Sequence, residues 1–137
     1  NRKQYVGFIY VGVWCGWKQI ATATPPQKFN LPLSDGYETY ASSSGYENVY
    51  YKDQEGIVSV EISIRKIDGF KTGSYSAIAQ LPEGFRPAFM KHNMAYSYGP
   101  YGWSAIFVRP NGTIDVYISN DCTSVFGELH FIAQDQA

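Results

Sequence analysis

The stretch "IVSVEISIR", Ile57 to Arg65, alternates apolar and polar side chains without a break. Successive residues of a β-strand point to opposite faces. The pattern therefore predicts a strand with Val58, Val60, Ile62 and Ile64 on one face and Ser59, Glu61, Ser63 and Arg65 on the other. A helix would scatter those four apolar residues around its surface, because its apolar stripe recurs every third or fourth position. "TIDVYIS" repeats the pattern, with Ile114, Val116 and Ile118 turned in and Thr113, Asp115 and Tyr117 turned out. Between it and "WSAIFVR" stand Pro110, Asn111 and Gly112. Asn-Gly between two alternating runs predicts a hairpin, since both residues tolerate positive φ.

Further strands are expected in "YVGFIYVGVW", "YENVYYK", "YSAIAQ" and "GELHFIA", the last with Leu129 and Phe131 on one face. "SDGYETY" reads as a turn and a short strand, and "DQEG", Asp53 to Gly56, as the turn entering Ile57. Short alternating strands separated by Gly, Pro, Asn and Asp turns predict an all-β fold: an antiparallel β-sandwich, jelly-roll-like, with one face of each strand buried. At 137 residues the chain makes one domain with a sizeable core. Pro25 and Pro26 favour extended backbone and divide an N-terminal β segment, residues 1–24, from a head domain, residues 25–137. Trp14 and Trp17 in that segment read either as core or as contacts to another subunit.

"LPEGFRPAF", Leu81 to Phe89, holds two prolines and a glycine among large apolar residues. It is expected to be a sharp crossing loop that Leu81, Phe85 and Phe89 pin to the core, with Gly84 at positive φ.

Composition narrows the function. With 11 Lys+Arg against 12 Asp+Glu the chain has no basic stripe for nucleic acid, and no apolar run reaches membrane-span length. Cys15 and Cys122 lack metal-ligand spacing and read as buried thiols or a disulfide, so no metal or cofactor is expected. His130 reads as a structural strand residue and His92 as a surface loop residue. Neither belongs to a nucleophile elbow or a Ser-His-Asp order. Glu61 and Asp115 are expected on solvated sheet faces, so the reading is of a protein that is not an enzyme.

Recognition is the better prospect, given 12 tyrosines. "NMAYSYGPYGW" interleaves Tyr96, Tyr98, Tyr101 and Trp103 with glycine and proline, beside Asn93. "GYETYASSSGYENVYY" places Tyr40 and Tyr46 around a small polar loop tip. Aromatic faces stack on sugar rings, and Tyr adds a hydroxyl at small entropic cost. These seven residues are the candidate ligand contacts. Core packing is the competing reading, and is favoured for Trp103.

The ordered set "LPLSDGYETY", "NVYYKDQEGIVSVEISI", "IAQLPEGFRPAF", "RPNGTIDV" and "FGELHFIA" resembles the C-terminal head domain of tail-fibre and baseplate receptor-binding proteins of bacteriophages and prophages of Gram-positive bacteria. The likeness covers residues 31–133; the Trp-rich stretch from Tyr5 to Trp17 lies outside it. It implies a β-sandwich head that forms homotrimers at the tip of a virion tail or tail-like particle. It also implies upstream tail or baseplate segments as partners, and attachment to host cell-surface saccharide. No signal-peptide pattern is read, which accords with the synthesis in host cytoplasm that the likeness implies. The alternative is a monomeric carbohydrate-binding module of a secreted glycan-active enzyme.

Overall fold

A computed structural model of the chain describes residues 5–10, 13–19, 25–41, 44–99 and 102–134, with the first two stretches described as backbone only. The described residues form eleven strands and no helix, so the all-β expectation is borne out. Strands β1 (Tyr5–Tyr10) and β2 (Val13–Gln19) pair antiparallel in a two-stranded sheet of their own. "YVGFIYVGVW" is thus the start of a hairpin instead of one strand.

The other nine strands are β3 (Phe29–Asn30), β4 (Tyr37–Thr39), β5 (Val49–Lys52), β6 (Ile57–Phe70), β7 (Tyr75–Gln80), β8 (Lys91–Tyr98), β9 (Ser104–Val108), β10 (Thr113–Ile118) and β11 (Cys122–Ile132). They follow one hydrogen-bonded path, β3-β5-β6-β11-β8-β9-β10-β7, with β4 beside β5 on the same edge of β6. The two halves of the expected sandwich are therefore parts of one curled antiparallel sheet. The bend lies at β8. Its C-terminal residues Tyr96 to Tyr98 pair with β11, while Lys91 to Ala95 pair with β9.

Alternation on β6 sends Val58, Val60, Ile62 and Ile64 inward, as expected, and the strand runs on to Phe70. Opposite them Ile78, Ile106, Val108, Ile114, Val116 and Ile118 complete a core with Val125, Leu129 and Phe131 of β11. The two ends of the path meet through the segment after β3. Leu31 donates its N–H to Asn48 O at 2.9 Å, and Ser34 donates to Ile78 O at 2.8 Å. Leu33 forms an isolated bridge with Ala79 of β7.

The Asn111-Gly112 hairpin joins β9 to β10, with Gly112 at φ 89°. "LPEGFRPAF" crosses beside it. Leu81 is fully buried and donates its N–H to Gly112 O at 2.8 Å, while Arg86 Nε donates to Leu81 O at 2.9 Å. Gly84 has φ 90°, and Phe85 sits half-buried, edge-on to Tyr50 at 4.9 Å. Phe89 corrects the expectation. It is 75% exposed, because the chain bridges Ala133 at Pro87 and then leaves the core.

Cys122 is a buried free thiol, which settles its half of the thiol expectation; the side chain of Cys15 lies outside the described residues. Burial pushes the Cys122 thiol up from its ordinary range. The folded state then holds its proton more tightly than the unfolded chain. This contribution to stability is complete below the unfolded thiol value of about 8.5 and is lost as pH rises through the folded value. Denaturant melts across alkaline pH should show a shallower loss of stability in Cys122→Ala than in the parent. Equal slopes would contradict it.

Candidate functional site

The outward faces of β6, β11 and β8 lie side by side. Antiparallel register sets Phe126 of β11 opposite Ser63 of β6 and Tyr96 of β8, and sets Glu128 opposite Glu61. These side chains floor an open groove of about 600 Å³. Its wall is the connection from β4 to β5, which carries Tyr40, Gly45, Tyr46 and Glu47.

Asn48 holds that connection down. It is buried at 6% exposure, and its amide donates to Thr39 Oγ1 and Ser63 O, both at 3.0 Å. Its Oδ1 accepts the Ser63 N–H at 2.8 Å. Tyr40 N–H donates to the same Ser63 carbonyl at 3.0 Å. A buried amide with all these partners fixes the loop against β6.

Phe126 is the hub of the groove. Its ring meets Tyr40 edge-on at 4.9 Å, Tyr46 at 5.6 Å and Tyr96 at 5.9 Å. Tyr40 also contacts Tyr46 at 5.2 Å and Tyr98 at 6.4 Å. The rings support one another yet remain open to solvent, with Tyr96 64% and Tyr98 54% exposed. Glu61 accepts a 2.6 Å hydrogen bond from the Tyr51 hydroxyl, which is held above its ordinary range chiefly by that bond. Glu47 pairs with Lys28 at 2.9 Å. Glu128 lies 3.8 Å from His130 Nε2, whose other ring nitrogen meets Ser59 Oγ at 2.8 Å.

Four of the seven expected contacts therefore converge: Tyr40, Tyr46, Tyr96 and Tyr98. Tyr96 and Tyr98 do so from a strand, and the expected loop begins only after Tyr98. His92 is likewise on β8, exposed, with its ring 5.7 Å from Phe107. Asn93 stays outside the groove; its amide donates to Glu128 O at 2.8 Å, tying β8 to β11 where their ladder ends. Tyr101 lies outside the described residues.

Trp103 is on the far half of the sheet and is 48% exposed, against the core reading. Its N–H donates to Ser119 Oγ at 2.6 Å and its ring rests 5.2 Å from Tyr117. It heads a second aromatic row. Tyr117 contacts Tyr75 at 4.8 Å, and Tyr75 contacts Phe107 at 5.7 Å. Within this row Asp115 also departs from expectation. It does face outward, but it is only 6% exposed, since Arg109 Nε donates to its carboxylate at 2.6 Å and Phe107 stands opposite.

Phe126, Glu47 and Glu128 were not singled out from sequence. The signal for two of them was present. Val125, Gly127, Leu129 and Phe131 alternate, so Phe126 and Glu128 belong to the outer face. Reading the last strand from Gly127 hides Phe126. Gly127 itself points inward, where a Cβ would stand 2.7 Å from Ile106 Cδ1 and 3.1 Å from Ala95 Cβ. Its missing side chain lets β8 and β11 close up beneath the rings.

Among the described residues no group of three or more His, Cys, Asp or Glu could hold a metal ion. No protein-family model and no curated protein matches the chain.

Proposed function

We propose that this chain is a non-enzymatic attachment domain of a phage tail fibre or baseplate, binding saccharide on the host cell surface as a homotrimer. The observation that carries the binding reading is the groove at Phe126. Four tyrosines present ring faces and hydroxyls to an open groove of about 600 Å³, the combination that grips a sugar's apolar face and its hydroxyl edge together. The ordered motifs from residue 31 to residue 133 support placing it on a virion tail. For the oligomer, the support is the second aromatic row. Tyr75, Tyr117, Phe107 and Trp103, with exposed Met94 on β8, make an apolar face suited to a second copy.

A glycan array and whole-cell binding test the first part. Tyr96→Ala and Tyr98→Ala are each expected to weaken binding about tenfold, or ~1.4 kcal/mol. Both side chains are more than half exposed, so melting should stay within about 0.5 kcal/mol of the parent. Parent-like binding by both variants would sink the groove as the site. Light scattering tests the trimer, and a monomer at high concentration would favour the carbohydrate-module reading. Cell-wall glycan turnover that disappears in Glu61→Gln would overturn the non-enzymatic part.

A further inference from the structure

We infer that the saccharide taken by the groove carries a protonated amine, an inference that rests on the groove's being a saccharide site. The charges on its surface are unbalanced. Glu61 and Glu128 stand directly opposite each other on β6 and β11, an arrangement that costs stability when both carboxylates are ionised. Among the described residues, no Lys or Arg lines the groove. Lys28 pairs with Glu47 at 2.9 Å and reaches Glu61 through its more distant charge. Glu61 itself accepts from the neutral Tyr51 hydroxyl at 2.6 Å. Glu128 is offset only when His130, 3.8 Å away, is protonated.

The basic residues of the adjoining surface are already engaged. Arg65 and Lys66 line the adjoining hollow beyond Tyr40 and Tyr98. Arg65 is paired with Glu38 at 2.7 Å, and Lys66 Nζ lies 5.8 Å from the Tyr37 ring. The facing carboxylates thus keep a negative field beside four tyrosine rings and Phe126. Ring faces attract cations as well as stacking on sugars, and ammonium recognition by aromatic cages combines the two features found here. A neutral sugar would gain the stacking but leave the carboxylate repulsion in place. An acidic sugar would be repelled.

Calorimetric titration with two matched probes tests this: a tetramer of glucosamine, with its amines protonated, and a tetramer of N-acetylglucosamine. The amine tetramer is expected to bind at least tenfold more tightly, with the advantage shrinking as salt is raised. Glu61→Gln combined with Glu128→Gln should erase that advantage, leaving the two tetramers with equal affinity. Glu128 is exposed, and a Gln at position 61 can still accept from the Tyr51 hydroxyl, so the variant should still unfold in one cooperative transition. Equal or tighter binding of the acetylated tetramer by the parent overturns the inference and leaves the saccharide reading standing. An amine preference that survives the double substitution overturns it too. No binding of the amine tetramer also overturns it, and the cell-binding test of Tyr96 and Tyr98 then decides separately whether the saccharide reading falls.

Discussion

Gly112→Ala is expected to lose about 2–5 kcal/mol of stability, from strain of ~1–2 kcal/mol and crowding of ~1–3 kcal/mol. Gly112 sits at φ 89°, where a Cβ strains the backbone. Space is the second cost. An added Cβ would collide with the Leu81 carbonyl and lie 2.6 Å from Arg86 Nε. Neither neighbour can step aside cheaply. Leu81 is fully buried and donates its N–H to Gly112 O, and its carbonyl accepts from Arg86 Nε. Repacking would break the contact between the hairpin and the crossing segment. Denaturant unfolding of parent and variant measures the difference. A cost below about 1 kcal/mol would mean that the two segments are not locked together, since the backbone strain alone is expected to reach that scale.

Phe70→Ala should cost about 3–5 kcal/mol, the range for emptying a buried aromatic site. Its ring is 1% exposed at the far end of β6, beside Tyr37 at 5.9 Å and across from Cys122. There Cys122 of β11 pairs with β6 on one edge, and β4 holds the other edge as far as Lys66. Phe85→Ala serves as the comparison. That ring is only half-buried, so a smaller loss is expected than full burial in the core would give. Thermal melts rank the two, and a larger loss for Phe85 would reverse the burial order.

Much of the frame can be read from the sequence, and the reason is local. From Val58 to Ile64 on β6, and along β10, every second residue is apolar and points to the core, so the period and the burial agree. The turns at Gly56, Gly84 and Gly112 carry their own chemistry, and all three glycines have positive φ. β8 defeats the same reasoning. Its larger apolar residues, Met94, Tyr96 and Tyr98, do alternate, but they face solvent, and the alternate positions hold Lys91, Asn93, Ala95 and Ser97, with no large apolar residue to mark a core side. A strand whose aromatic side is its surface looks like a recognition loop when read alone. That is also why the sequence points to Tyr96 and Tyr98 but suggests a loop where the structure has strand β8. Phe126, Glu61 and Glu128 needed the pairing of β6, β11 and β8, which lies in long-range register and not in any one segment. Trp103 and Asn93 were drawn in by sequence proximity to Tyr96, and the bend of the sheet at β8 separates them from the groove.

The curl has a consequence for how copies of this domain can meet. A strand with a free edge offers backbone donors and acceptors to any other strand, whatever its sequence. Here one end of the path is the two-residue β3. At the other end, Leu33 takes up β7 at Ala79. Little generic adhesive is left on those rims. In the proposed trimer, contact between copies would then fall to side chains such as Tyr75, Phe107 and Tyr117, so substitution could rewrite partner choice while the hydrogen-bonded frame stays as it is.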